Sequence, residues 1–579
     1  MSILASLVRA YDRLHEHGEM PSFGYASQGI HACIVLDRKG IMVGSPAAFE
    51  LDKRGRPVAR LLDVPYYGGR SGTNAPPYFL WDNSAYVLGL SNKENFDARQ
   101  RFEAFKSFHM KGLNAETDAG LVAVRTFLMN WQPENGGLSD ELFDRNIVFR
   151  LVEGHEFVHE SEAAKAVWTR LYIPDTIGKK ICLISGEPKE IARIHPPIGS
   201  FENPARIVSF DKDSDAFASY GHVQAENAPT GIVSAFAYTA ALNRFLRSDS
   251  GHRIQIGDAS TVFWADASDT ASAGEAESLF QQWISPSDDE TVAAKQVGDK
   301  LSQIRAGKPL RTIEPKLDGV RFHVLGLAPN AARISIRFYF EDSFGVLTRN
   351  YQRYLEDMAL EPGPREEYPS LWKYLVDLAV LGKRENIPPN LAGEWMRAIL
   401  YGTRYPMTLL STVLLRIRSD GQVGALRVAM LRALLVRNFN LSKEAPVALD
   451  LENTNRGYLL GRLFAVYERA QTAALGDVNA SIKDKFYGSA SAQPRKVFHM
   501  LDSGSANHLA KLGKQSPGYK VVLERAIGAI METMEPALDP FPASLSAQEQ
   551  ALFGLGYYHQ RNDFFRKSSS KAAVEGNAE

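Results

Sequence analysis

Apolar positions recur with two different periods along the chain, and the point where one period gives out divides it. Ile3, Leu4, Leu7, Val8, Tyr11 and Leu14 stand at helical spacing. IHACIVLDRKGIMVG then reads as two strands about an Asp37-Arg38-Lys39-Gly40 turn, and RPVARLLDVPYY as a further extended run. A Gly-, Ser- and Pro-rich loop inside YYGGRSGTNAPPYFLWDNSAYVLGL leads into an apolar segment. NFDARQRFEAFKSFHMKGL and AGLVAVRTFLMNW predict helices, and NIVFRLVE predicts a strand. From about 150 to 365, strands (KKICLISGE, RIQIGDASTVFWAD, RFHVLGLAP, AARISIRFYF) mix with helices (PTGIVSAFAYTAALNRFL, AGEAESLFQQWI, ETVAAKQVGDKLSQIR). Beyond about 370 the strand signals vanish, and MTLLSTVLLRIR, VGALRVAMLRALLVRN, GYLLGRLFAVYERAQTAAL and GYKVVLERAIGAIMETM are all helical by period. The pattern predicts an α+β fold: mixed α/β N-terminal and middle regions, then an all-α C-terminal helical bundle. The expected divisions are 1–150, 151–369 and 370–566, with a small polar tail, 567–579, expected to be disordered.

Charge changes this picture locally. The 579 residues carry a formal net charge of -1, which excludes a globally basic nucleic-acid binder and leaves electrostatic partners to local patches. Cys33 and Cys182 each lie in an apolar run, as buried thiols of a reducing compartment do, and two cysteines cannot supply a thiolate zinc site. Arg9 and Asp12 interrupt what a signal peptide would keep apolar. No run of ~18 apolar residues is present, so the expectation is a cytoplasmic protein without membrane spans.

The most conspicuous motif is His155-Glu156-x-x-His159, the H-E-x-x-H signature of zinc peptidases. It requires a helix, which puts both histidines on one face. Here NIVFRLV, a Glu153-Gly154 turn and the alternating EFVHE predict a hairpin, with Ser161 as the N-cap of the following helix. On a strand, residues four apart are ~13 Å from each other at ~3.3 Å rise, too far to share one ion. No G-x-x-x-x-G-K-[ST] loop or G-x-S-x-G elbow is present. Neither a cofactor nor a metal is expected.

Two basic clusters are more informative. Between Trp395 and Asn438 lie Arg397, Arg404, Arg416, Arg418, Arg427, Arg432 and Arg437 against the single acid Asp420, a local charge of +6. Such a cluster is the footprint of a phosphate-contacting surface, or of a bundle whose arginines pair with carboxylates from elsewhere. Arg427, Arg432 and Arg437 advance 140° per step around a helix and do not form one stripe. The second cluster is Lys53, Arg54, Arg56 and Arg60, followed by the loop Gly68, Gly69, Arg70, Ser71, Gly72, Thr73 and Asn74. Glycines admit close backbone approach, free amides meet phosphate, and an Asn or Ser can read a groove. Arg333 and Arg337 share a strand face with Ser335, positioned either to meet phosphate or to form salt bridges. Pro76-Pro77-Tyr78-Phe79-Leu80-Trp81 reads as core, with stacking or a duplex-opening wedge as the alternative.

Several long blocks together resemble the large subunit of the type I-C CRISPR Cascade, a crRNA-guided DNA-surveillance complex. They are RSGTNAPPYFLWDNSAYVLG at 70–89, ICLISGEPKEIARIHPPI at 181–198, SFDKDSDAFASYGHVQAENAP at 209–229, FAYTAALNRFL at 236–246, LAPNAARISIRFY at 327–339, ENTNRGYLLGRLFAV at 452–466, IKDKFYGSASAQP at 482–494 and LFGLGYYHQRNDFF at 552–565. The resemblance implies a non-catalytic subunit at the 5′-handle end of the crRNA, beside the crRNA-processing subunit and the backbone subunits. It implies recognition of a protospacer-adjacent motif in target double-stranded DNA, help in opening the duplex, R-loop stabilisation and docking of a helicase-nuclease. The C-terminal helical part would correspond to a small helical subunit. Guide pairing reads the sequence, so the protein needs only short-motif and backbone contacts. On that basis the loop 68–74 is assigned to motif readout, and Lys53, Arg54, Arg56 and Arg60 to the adjacent phosphates. The arginines from 397 to 437, with Lys483, Lys485, Arg495 and Lys496, are assigned to DNA or to neighbouring subunits. A zinc peptidase and a stand-alone nuclease are the rival readings.

Overall fold

The computed structural model describes residues 2–565 except 68–75, 94–96, 136–138, 174–177, 200–204, 212–214, 219, 257–258, 268, 285–291, 331–332, 477–478 and 536–538. The fold is α+β, and the chain divides into two compact units: residues 1–244 with 331–333, and residues 245–330 with 334–579.

In the first unit the helix Ile3–Glu16 starts at Ser2, whose hydroxyl accepts from the Ala5 amide. A four-stranded sheet follows in the order Ala47–Ala48, Ala32–Leu36, Asn146–Leu151, Trp81–Asn83. Its central pair is parallel, from Ala32↔Ile147 to Leu36↔Leu151, and the outer pairs are antiparallel. A parallel pair needs a crossover, and the intervening chain supplies one that includes the helices Ala98–Gly112 and Ala119–Asn130. Strand alternation then buries both faces. Ala32, Ile34, Leu36, Ile147 and Phe149 pack with Phe102, Phe105, Val124 and Phe127 on one side. Cys33 and Val148 pack on the other with Ile30, Leu62, Val64, Tyr78 and Trp81. The second core rests on an antiparallel ladder between Tyr25–Ile30 and Arg60–Pro65.

The expected boundary at 150 falls inside this first core. Ala164, Val167 and Trp168, on the helix Glu162–Tyr172, complete the packing begun by the strand Ala32–Leu36. That helix begins where the sequence predicts, with Ser161 accepting from the Ala164 amide.

In the second unit the strands Arg253–Ile256, Ala259–Asp266, Arg321–Asn330 and Arg333–Ser343 form a sheet in chain order. The expected boundary near 370 also falls within one core. Phe263, Phe322 and Phe340 of the sheet belong to the same continuous apolar cluster as Trp395, Leu431, Phe464 and Phe553 of the helices. Beyond 344 the described residues form no strand, as the apolar period predicts. The helices Arg456–Leu475 and Ala547–Asp563 approach closely through glycine. A methyl group at Gly457 would lie 2.6 Å from the Glu549 carbonyl oxygen, and methyls at Gly461 and Gly556 would meet the carbonyl oxygens of Phe553 and Tyr458 well inside van der Waals contact. The separation at this crossing is set by backbone, not by side chains.

Candidate nucleic-acid interface

The basic hairpin forms as its sequence requires. Glu50–Leu51 pairs antiparallel with Pro57–Val58. The Asp52 carboxylate closes the turn by accepting from the amides of Arg54 (2.8 Å) and Arg56 (2.9 Å), with Gly55 at φ +76°. Lys53, Arg54, Arg56 and Arg60 are all exposed. Arg56 is drawn back to Asp52, 2.8 Å away, and its hydrogen bonds hold that carboxyl below its ordinary range. Arg60 lies over the Phe49 ring, 6.0 Å from its centre. Among the described residues no carboxylate pairs with Lys53, Arg54 or Arg60, so three cations of the hairpin are available to a polyanion.

The strand Arg60–Pro65, roughly 20 Å long at ~3.3 Å per residue, leads from this hairpin to the candidate readout loop. Gly68, Gly69, Arg70, Ser71, Gly72, Thr73 and Asn74 lie outside the described residues. The residues on either side of them are held in place by hydrogen bonds. Tyr67 Oη donates to the carbonyl oxygens of Pro76 (2.7 Å) and Pro77 (3.2 Å), tying the two sides of the loop together. Trp81 Nε1 donates to the Pro65 carbonyl at 2.7 Å, and the Trp81 ring stacks on Tyr78 at 4.4 Å. Tyr78, Phe79, Leu80 and Trp81 are buried, so the aromatic stretch is core and not a wedge. Leu80 adopts φ +61°, and its amide donates to Nε2 of the buried His109 at 2.8 Å.

The arginines between 397 and 437 separate into two groups. Arg427, Arg432 and Arg437, on the helix Ala425–Phe439, are buried. Arg427 pairs with Asp377 (3.0 Å) and Asp420 (2.8 Å). Arg432 donates to the backbone oxygens of Glu356, Asp357 and Ala445. Arg437 sits 2.5 Å from Asp357, misaligned for a hydrogen bond, with its guanidinium over the Tyr405 ring at 4.5 Å. These three cannot reach a nucleic acid or another subunit, and their assignment to such contacts is corrected: helical rotation turned them inward, where fixed charge needs partners and found them. Arg416 is mostly buried against Asp420 (2.6 Å), and Arg418 donates to Gln550.

The remaining cations face solvent. Arg397, Arg404, Lys485 and Lys496 are exposed; Arg495 is exposed but paired with Asp539 at 2.5 Å, and the half-buried Lys483 approaches Asp484 at 3.8 Å. Arg333 and Arg337 are exposed on the strand Arg333–Ser343, with Ser335 between them on the same face. Lys511 and Lys514 add to these cations. Both are exposed on the helix Pro494–Gln515, on the face that carries Lys496, His499, Ser503 and Asn507, and Asp502 is that helix's one acid. The helical period over 496–514 is the signal that would have found them.

The H-E-x-x-H segment differs from the predicted hairpin strand. Phe157 alone bridges back, to Arg150, and the Glu160 carboxylate then accepts from the Phe157 amide (2.8 Å), turning the chain into the single 3-10 turn Val158–Glu160. His159 is buried beside Phe157, its ring stacked at 5.6 Å and its pKa pushed down to about 4 by burial, whereas His155 and Glu156 are exposed. One histidine faces the core and the other solvent. Among the described residues no three His, Cys, Asp or Glu side chains are grouped to hold a metal ion, and no helix is long and apolar enough to cross a membrane.

Comparison with curated proteins gives no match. The family model described as CRISPR-associated protein (Cas_Csd1) matches residues 7–565, nearly the whole chain. With that span, and with the blocks from 70 to 565 in their order, the chain belongs to the CRISPR-associated Cas_Csd1 family, that of the type I-C Cascade large subunit.

Proposed function

We propose that this chain is the non-catalytic subunit through which its complex recognises a protospacer-adjacent motif in duplex DNA. In this reading it also helps to open the duplex, holds the displaced strand and offers a docking surface to the helicase-nuclease. Its neighbours are the crRNA, the crRNA-processing subunit, the backbone subunits and a small helical subunit. The observation that carries the reading is the basic hairpin, in which Lys53, Arg54 and Arg60 have no carboxylate partner among the described residues, joined by one short strand to Tyr67, which bonds across the candidate readout segment to Pro76 and Pro77. Exposed lysines and arginines neutralise phosphates without regard to sequence, while a Gly-rich loop with one Asn and one Arg can meet base edges. The strand between them spans roughly 20 Å, within one ~34 Å turn of duplex, so both could engage a single site.

The test is binding of target duplex by the reconstituted complex, with and without this subunit. Motif-dependent, salt-sensitive affinity is expected, and unchanged binding on removal of the chain refutes the reading. Asn74→Ala should relax motif discrimination by ~1–3 kcal/mol if that side chain reads a base; equal loss on every motif makes it a positioning residue. The purified chain with magnesium should leave DNA intact, and cleavage would restore the nuclease alternative.

A further inference from the structure

The first unit contains a cavity of about 130 Å³ that no part of the motif-recognition reading uses. Arg193, His195, Arg206, Ser209, Phe210 and Gln224 line it. Three stretches of the chain build it: 193–195 within IARIHPPI, 206–210, and 224–225.

Among the described residues the charge in this cavity is unbalanced. Arg206 Nε donates to the His195 carbonyl at 2.8 Å, and Arg193 Nη1 donates to Gln224 Oε1 at 2.6 Å. Both acceptors are neutral. Arg193 is exposed and Arg206 half-buried, and among the described residues no carboxylate pairs with either guanidinium. His195 is 1% exposed; its Nδ1 lies 2.6 Å from Tyr238 Oη, and its Nε2 has no partner among the described residues. Burial and the nearby Arg206 push the imidazole pKa down to about 4, so the ring stays neutral. The result is two positive groups, a hydroxyl and an unsatisfied imidazole nitrogen around one small space. Guanidinium forks and a hydroxyl match the oxygens of a phosphate, and charge-assisted bonds of this kind are the strong ones.

We propose that this cavity is a phosphate site that takes a backbone phosphate of single-stranded nucleic acid, with Arg193 and Arg206 as the binding groups and Phe210 as a wall for the adjoining nucleoside. The choice of a strand as the source of the phosphate rests on the function proposed above. The preference for a phosphate group does not, because it follows from two guanidinium groups with no carboxylate partner among the described residues.

The experiment uses the purified full chain with two probes at constant ionic strength: inorganic phosphate, read by thermal denaturation, and a fluorescein-labelled single-stranded oligonucleotide, read by anisotropy. Phosphate should raise the unfolding midpoint above that in chloride, and Arg193→Gln should remove the rise. Arg193→Gln should also weaken oligonucleotide binding about tenfold, the scale of one lost charge-assisted hydrogen bond. Arg206→Gln also removes the bond to the His195 carbonyl, so Arg206→Lys accompanies it; a folded Lys variant should retain part of the binding. A phosphate response with unchanged oligonucleotide binding in the variants overturns the strand and assigns the cavity to a small phosphorylated ligand. No response to either probe by a folded wild-type chain overturns the phosphate site itself. Neither result bears on motif-dependent duplex binding by the complex, so failure here and failure of the proposed function remain distinct.

Discussion

Arg437 separates a structural from a nucleic-acid-binding explanation of the arginine cluster. It is 4% exposed and 2.5 Å from Asp357, which is itself buried. Arg437→Met keeps most of the side-chain volume and removes the charge, leaving the Asp357 carboxylate without its ion-pair partner. Removing one member of a buried pair costs ~3–5 kcal/mol. Tyr405 Oη at 3.0 Å remains as a hydrogen-bond donor to Asp357, and Arg432 remains close by, so the lower end, ~3 kcal/mol, is expected. With a denaturant slope of about 3 kcal/mol/M, the urea midpoint of the second unit should fall by roughly 1 M.

The loss should depend on pH. Burial already raises the pKa of Asp357 despite the counter-charge of Arg437, and removing that charge raises it further. A carboxyl whose folded pKa lies above its unfolded value destabilises the fold above that pKa, and the penalty is relieved as pH falls through it. The variant should therefore approach the wild type as pH falls through the raised Asp357 pKa, and Asp357→Asn in the same chain should recover much of the stability. If Arg437→Met instead leaves the urea midpoint unchanged and weakens DNA binding, the buried-pair account is wrong.

The buried histidines His109, His159 and His195, all in the first unit, have pKa values pushed down to about 4, chiefly by burial. The unfolded chain binds protons below about 6.5 that the folded unit refuses, so this stability is full above about 6.5 and is lost as pH falls, by up to ~4 kcal/mol per pH unit if all three act together. His109→Gln should reduce the pH dependence of the urea midpoint by about a third, and an unchanged dependence would remove His109 from the account. Gly461→Ala should lower the unfolding midpoint of the second unit, because the added methyl meets the Phe553 carbonyl; overpacking at ~1–3 kcal/mol outweighs the helix-propensity gain of under ~1 kcal/mol. A rise in midpoint would show that the helices can part without cost. Replacing Lys53 and Arg54 by Gln should weaken binding of all duplexes alike and flatten the log–log salt dependence by roughly one unit per lost phosphate contact; an unaltered slope would assign the hairpin to a protein partner.

The extent to which the fold was legible depended on how local the signal was. Ser161 was readable as a cap because its hydroxyl needs only the amide three residues on. The strand Asn146–Leu151 and the helix Ala425–Phe439 were readable because their apolar period survives burial. The domain boundaries were not, since a core such as the one joining Ile34 to Trp168 is formed by contacts far apart in sequence. EFVHE alternates as a strand does, yet one side-chain bond from Glu160 to the Phe157 amide turned it into a 3-10 turn.

The same division runs through the candidate site. Sequence alone determined family membership, the all-helical final part, and the existence of two basic clusters, because each is written in local residue order or in period. Only the tertiary structure decided which cations were free. Arg427, Arg432 and Arg437 read as the heart of a polyanion surface until packing turned them inward against Asp377, Asp420 and the Asp357 segment, while Lys53 and Arg54 on a two-strand hairpin kept their charge for a partner. Arg193 and Arg206 were inconspicuous in sequence and emerged together around a cavity, with no carboxylate partner among the described residues. The physical reason is that a charge's availability depends on the groups the fold places within a few ångströms of it, and that neighbourhood is assembled from parts of the chain that composition and spacing do not connect.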